Sequence, residues 1–269
     1  MPPSVQQTPY SVAPGRARVP WGWLDLLAIA LVAAALYVAE ILAARLLVSS
    51  PAHLGLAALG RSFVSRGVSP HVIQLVVGSL LLYGAAALAI VSWLRGIRRY
   101  EISWATFGYH PAPLSRLAAV AFGIYPATIL TSAVVTALTV AFVQKVLRGH
   151  FSNPQTQAIF GGVRPTVPNI ALLLLLVAVL APLVEETLFR GVLYQLLRNK
   201  LPVSVAAVVS AAIFAAAHAI PIIFPVLFIT GVALALTFEY CHSIYGSALL
   251  HGLVNGVNIL LLAHTLAPG

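Results

Sequence analysis

Two adjacent carboxylates, Glu185 and Glu186, stand inside a long apolar run, with Arg190 four residues after the second; residues 172–200 read LLLLLVAVLAPLVEETLFRGVLYQLLRNK. A charge at bilayer depth costs at least ~2.5–3.5 kcal/mol, and where one is kept it faces a bundle interior and marks function. On a helix, Glu186 and Arg190 form an i,i+4 pair in the favourable order and neutralise each other. Glu185 is rotated about 100° from Glu186 and needs a different partner, or none. Two carboxylates in one place, one held by a cation and one not, are suited to different acid–base roles. Three more polar positions follow. His218 lies in AAIFAAAHAI, with Phe214 one turn before it, and His251 and Asn255 lie in ALLHGLVNGVNIL. On a helix Ser247, His251, Asn255 and Asn258 make a polar stripe on an apolar rod. A lone membrane histidine is most simply a cross-helix hydrogen-bonding group. Two histidines, an asparagine stripe and a glutamate pair in one third of the chain outweigh that simpler reading.

The elements that must position these residues are membrane helices. Of 269 residues, 60% are hydrophobic and 8% charged, and the mean hydropathy is +0.97. A soluble domain carries roughly 25% charged residues, so the chain is expected to be an all-α, polytopic membrane helix bundle of about seven to eight transmembrane helices. The net charge of +9 does not imply a nucleic-acid partner, because the Lys and Arg residues sit at the ends of apolar segments, where they set topology. Cys241 is the only cysteine, which excludes an intrachain disulfide or a thiolate metal cluster.

Residues 1–20 are Pro-rich and read as a disordered tail. Residues 21–166 hold the amino-terminal spans: Trp21 to Val48, carrying Glu40 and Arg45 as a packing pair, then Val72 to Leu94, then about Leu117 to Val143. An amphipathic piece around Leu54 to Val64 lies between the first two. Residues 144–168 form the longest loop. Residues 167–265 hold four further spans: from about Asn169, from Val203 to Ala219, from Ile222 to Tyr240, and from Ile244 to Ala263. Pro182 is expected to kink the fourth just before Glu185. Seven spans place the termini on opposite sides. With the amino terminus inside, eight basic residues (Arg16, Arg18, Arg95, Arg98, Arg99, Arg116, Arg198, Lys200) face the cytoplasm. Five (Arg61, Arg66, Lys145, Arg148, Arg164) face out.

The motif order is E-E-x-x-x-R, F-x-x-x-H, H-x-x-x-N: Glu185-Glu186-Thr187-Leu188-Phe189-Arg190, then Phe214-Ala-Ala-Ala-His218, then His251-Gly-Leu-Val-Asn255. Over about residues 167–263 this resembles the CPBP family of intramembrane proteases, also called the abortive-infection or type II CAAX endopeptidase family. The resemblance implies that Glu185 and His218 hold and deprotonate a water. His251 and Asn255 would stabilise the oxyanion, while Glu186 and Arg190 orient the rest. It implies a membrane-associated peptide or protein substrate, entering from the cytoplasmic half of the bilayer, and suggests the plasma (inner) membrane. The class, metallo- or glutamic-type, stays open. Two His and a Glu from three helices could hold a zinc with one position open, whereas a glutamate–histidine dyad needs no metal; Asn255, no zinc ligand, tilts the choice to the metal-free version. The competing readings are a proton- or ion-coupled transporter, which would more often show repeated halves, and a silent immunity or scaffold protein, which should have lost a motif residue.

A helix-rise ruler raises one difficulty. At 1.5 Å per residue, Glu185 lies ~20 Å before Arg198, His218 ~24 Å beyond Pro202 and His251 ~12 Å beyond Ser243, so upright helices would hold the groups apart. Tilt, or a fifth helix that begins inside the bilayer, is needed to unite them.

Overall fold

The computed structural model describes residues 19–48, 60–150 and 152–266, the side chains of 44–48 excepted. The expected tail, the first part of the amphipathic piece and the Arg45 side chain lie outside the described residues. Among the described residues every regular element is helical. The apolar helices are α1 (Trp23–Val48), α2 (Pro70–Ile97), α3 (Leu114–Lys145), α4 (Val167–Arg198), α5 (Val203–Ala217), α6 (Pro221–Cys241) and α7 (Ile244–Leu266). Six of them are long and apolar enough to cross a membrane. The chain is an integral, multi-pass membrane protein.

The difference from seven or eight spans is α5. Its 15 residues reach only ~22 Å, short of a ~30 Å hydrocarbon layer. It packs antiparallel against α6 as a hairpin, closed by Ala219 at φ 54 and the turn Pro221–Ile223. A hairpin that goes in and comes back leaves the parity of the other spans unchanged, so the start of α1 and the end of α7 lie on opposite faces.

Two sets of clamps define the two faces of the bundle. On the first, Asp25 accepts from Gly22 N, Trp93 Nε1 and Tyr100 Oη at 2.8, 3.0 and 3.2 Å and pairs with Arg98 at 3.0 Å, tying α1 to the end of α2. Trp21 Nε1 donates to Val192 O, and Arg198 pairs with Glu239, so the ends of α4 and α6 join the same face. Ile244 N donates to Gly108 O at 2.8 Å. Gly108 is obligatory there: its φ is 94, and a Cβ would sit 2.7 Å from the Phe238 ring. On the opposite face Ser69 caps α2 before Pro70, and its backbone N–H donates to Asn169 Oδ1 at 2.8 Å at the start of α4. The loop expected at 144–168 contains a helix there, Pro154–Phe160, capped by Asn153 Oδ1 on Gln155 N. The described basic residues divide between the faces as the sequence reading grouped them. Glu40 Oε2 is buried with no hydrogen-bond partner among the described residues.

Candidate active site

α4 is not a plain α-helix. Its turns widen to π geometry at Leu174–Leu180 and again at Thr187–Tyr194, leaving six α-helical residues, Ala181–Glu186, between them. Such widened turns concentrate at functional sites. Pro182, where a kink is expected, lies just after the first wide turn, at the second residue of the α-helical stretch. Pro182 has no N–H to give, and the wide turn before it ends with Ala181 N bonded to Leu176 O. The next carbonyl, Val177 O, is taken by Asn255 Nδ2 of α7 at 3.0 Å. Despite the depths that the ruler gives, Glu185, His218 and His251 line one cavity.

The adjacent carboxylates part company. Glu186 and Arg190 are both 0% exposed and meet at 2.9 Å through Oε1 and Nη1. Arg190 Nη2 also donates to Gly231 O at 2.9 Å, and its guanidinium lies 4.8 Å from the Phe214 ring centre. A Cβ on Gly231 would meet Ala211 at 3.0 Å, so only glycine lets α6 approach this closely. Glu186 Oε1 also accepts from His251 Nδ1 at 3.0 Å. This closed knot ties α4, α6 and α7 together, with Phe214 of α5 covering it. Tyr109 reaches in from the α2–α3 connector: its hydroxyl donates to Thr187 Oγ1 at 2.7 Å, because the Thr187 hydroxyl donates to Leu183 O. Burial pushes the Tyr109 phenol up from its ordinary pKa, so it remains a donor.

Glu185 faces the other way, 19% exposed, into a cavity of about 310 Å³ that His218, His251, Asn255 and Thr230 also line. Its Oε2 is 3.9 Å from His251 Nε2, and its Oε1 accepts from Tyr83 Oη of α2 at 2.9 Å. His218 ends α5, and its Nδ1 can only donate to the Phe214 carbonyl at 2.8 Å. That bond leaves Nε2 as the nitrogen that faces the cavity without a hydrogen on it whenever the ring carries a single proton. His251 is oriented likewise by Glu186, so its Nε2 is the free nitrogen. Phe214 stands between the two imidazoles, 4.8 Å from one and 5.8 Å from the other.

Glu185, His218, His251 and Asn255 therefore share one cavity, and Glu186 and Arg190 buttress it from behind. Two contributors escaped the sequence reading. Phe214 stood in a motif without a role. Tyr83 lies 102 residues from Glu185 in an apolar segment, where a tyrosine carries no signal of its own.

Residues 167–257 match the family model of the Rce1-like type II CAAX prenyl endopeptidases. The match is in line with the resemblance of the three motifs to a CAAX-type intramembrane endopeptidase family; it covers roughly a third of the chain, and α1 to α3 lie outside it. No curated protein and no solved structure matches the chain.

The side chains around the cavity are not closed into a zinc shell as arranged. Among the described residues no three His, Cys, Asp or Glu side chains converge as metal ligands. Tetrahedral zinc ligands lie ~3.4 Å apart, whereas Glu185 Oε2 and His251 Nε2 are 3.9 Å apart and the other Glu185 oxygen is committed to Tyr83.

The cavity also has a direction. Its lining runs from Glu185 and Thr230 at mid-depth to Leu75, Ile223 and Asn258, and to Asn153 and Gln155 of the Pro154–Phe160 segment. The mouth is thus on the face opposite α1's first residues and the Arg95–Arg98–Arg99 cluster.

Proposed function

We propose that the chain is an endopeptidase that cuts a peptide bond of a membrane-associated, prenylated peptide or protein tail by means of a water activated without metal, working in the plasma membrane. The observation that carries this reading is the split of the two glutamates: Glu186 is sealed and neutralised, while Glu185 opens on a cavity with two oriented imidazoles. Water held between Glu185 and His218 gives up a proton to one of them as its oxygen attacks the scissile carbonyl. His251 Nε2, once it carries a proton, donates to the oxyanion that develops. The proton then passes to the leaving amine and completes hydrolysis. Asn255 spends one amide hydrogen on Val177 O and has a second left for the carbonyl oxygen. Leu75, Leu173, Leu176, Val226 and Leu227 give the cavity apolar walls suited to a prenyl chain or apolar side chains.

The test is cleavage of a fluorogenic prenylated tail peptide by purified protein in liposomes, wild type beside Glu185→Ala. Cleavage by wild type with loss in the variant is expected; equal rates in two folded preparations would overturn the role of Glu185. Running the assay with substrate supplied on one side only, and the amino terminus located by protease protection, shows which compartment the mouth serves.

A further inference from the structure

We propose that Tyr83 of α2, outside the Rce1-like match, is the positioning residue that aims the Glu185 carboxylate at the water. A carboxylate at the end of a glutamate side chain turns about χ3 with little preference. One oxygen must therefore be pinned if the other is to hold a nucleophile at a fixed place, and looseness of about 1 Å costs roughly 10²-fold in rate. Tyr83 Oη donates to Oε1 at 2.9 Å. The other oxygen, Oε2, is left facing His251 Nε2.

Tyr83 is the hydrogen-bond partner of Glu185: Arg190 turns its Nη1 and Nη2 to Glu186 and Gly231 O, and His251 turns its Nδ1 to Glu186. The phenol is half-buried and lines the same cavity, with Ser79 one turn before it on the same wall of α2. A tyrosine serves here because its ring spans the gap from a neighbouring helix with only two rotatable bonds, and because its hydroxyl donates without adding charge. The amino-terminal helices thus complete the site and do more than surround it.

This inference rests on the protease reading, and the experiment separates the two. Wild type, Glu185→Ala, Tyr83→Phe and the lipid-facing control Leu80→Ala are assayed on the prenylated tail peptide, with kcat, KM and thermal stability in detergent measured for each. Tyr83→Phe keeps the ring and removes one hydrogen bond to a charged group, so kcat should fall about 10- to 100-fold. KM should stay within about twofold and the melting temperature should hold, a split that a packing role would not produce. Absence of cleavage by wild type would sink the protease reading itself, whereas activity surviving in Glu185→Ala would remove the carboxylate that Tyr83 aims and the positioning role with it. If Glu185→Ala is dead while Tyr83→Phe turns over at the wild-type rate, or loses rate only in step with stability or KM, the positioning role is wrong.

Discussion

Glu185 and Glu186 are chain neighbours with opposite fates. Glu186 is fully enclosed, its Oε1 bound by both a guanidinium and an imidazole. Glu185 keeps open surface and makes contact with a neutral phenol and, at 3.9 Å, the bare edge of His251. One residue of helical rotation is enough to put a structural ion pair and a chemical group back to back. The enclosed knot orients His251 from behind through Nδ1, and the open side uses the nitrogen that remains. The difference shows that position in sequence does not set a carboxylate's task; what faces it does.

The sharpest way to break this comparison is to remove each carboxylate's function separately. Glu185→Gln should cut turnover on the order of 10²–10⁴-fold, the usual worth of a general base, and leave the melting temperature within a few degrees. His218→Ala should do the same. A large loss of stability in either would mean that the open side is structural too.

Arg190→Ala should show the reverse order of effects. It strands a carboxylate that is 0% exposed, and breaking such a pair costs about 3–5 kcal/mol. The protein should unfold at markedly lower temperature, with activity lost as a consequence. Arg190→Ala combined with Glu186→Gln should recover part of that stability, since no charge is then left unpaired. Strict additivity of the two changes would argue that the knot is not a unit.

The legibility of these two regions from sequence differs for the same physical reason. Glu186 and Arg190 are one helical turn apart, so the spacing alone predicts their contact. His218, His251 and Asn255 were readable as polar breaks in apolar runs. Tyr83, the Gly231 carbonyl and the wide turns of α4 were not, because each depends on how one helix lies against another. The seven apolar helices were legible to within a few residues. That α5 is too short to cross became plain only with its end at Ala217, where a non-glycine residue in the left-handed region, Ala219, reverses the chain. The helix at Pro154–Phe160 was foreshadowed by Asn153-Pro154, an N-cap followed by proline at the first position.

Asn255 tests how tightly the two sides are joined. Its amide takes the Val177 carbonyl beside the Pro182 gap, so Asn255→Ala leaves that carbonyl unsatisfied and removes a possible oxyanion donor. A loss of about 1–3 kcal/mol in stability is expected from the first, alongside a rate loss on the order of 10²–10³-fold from the second. Asn255→Asp keeps an acceptor and loses the donor, so it should lower both quantities as well. Full activity in Asn255→Ala would leave His251 as the oxyanion donor without help from α7's next turn.

Metal removal is expected to do least. A zinc held by Glu185, His218 and His251 would need them to close around one centre at about 2.0–2.2 Å each. In the arrangement observed, Glu185 Oε1 is held by Tyr83 and Oε2 stands 3.9 Å from His251 Nε2. The back of His251, bonded to Glu186, would serve a zinc ligand equally well, so that contact does not discriminate; the spacing at the front does. Strong chelation followed by desalting should therefore leave the rate within about twofold and the melting temperature unchanged, and elemental analysis of the purified protein should find no stoichiometric zinc. Zinc would stabilise the folded state in proportion to its occupancy, so a melting temperature that climbs with added metal would count against a metal-free open side. Stoichiometric zinc whose removal abolishes cleavage and whose return restores it would move Glu185 from the role of base to that of ligand, and the two adjacent carboxylates would then both be held by cations.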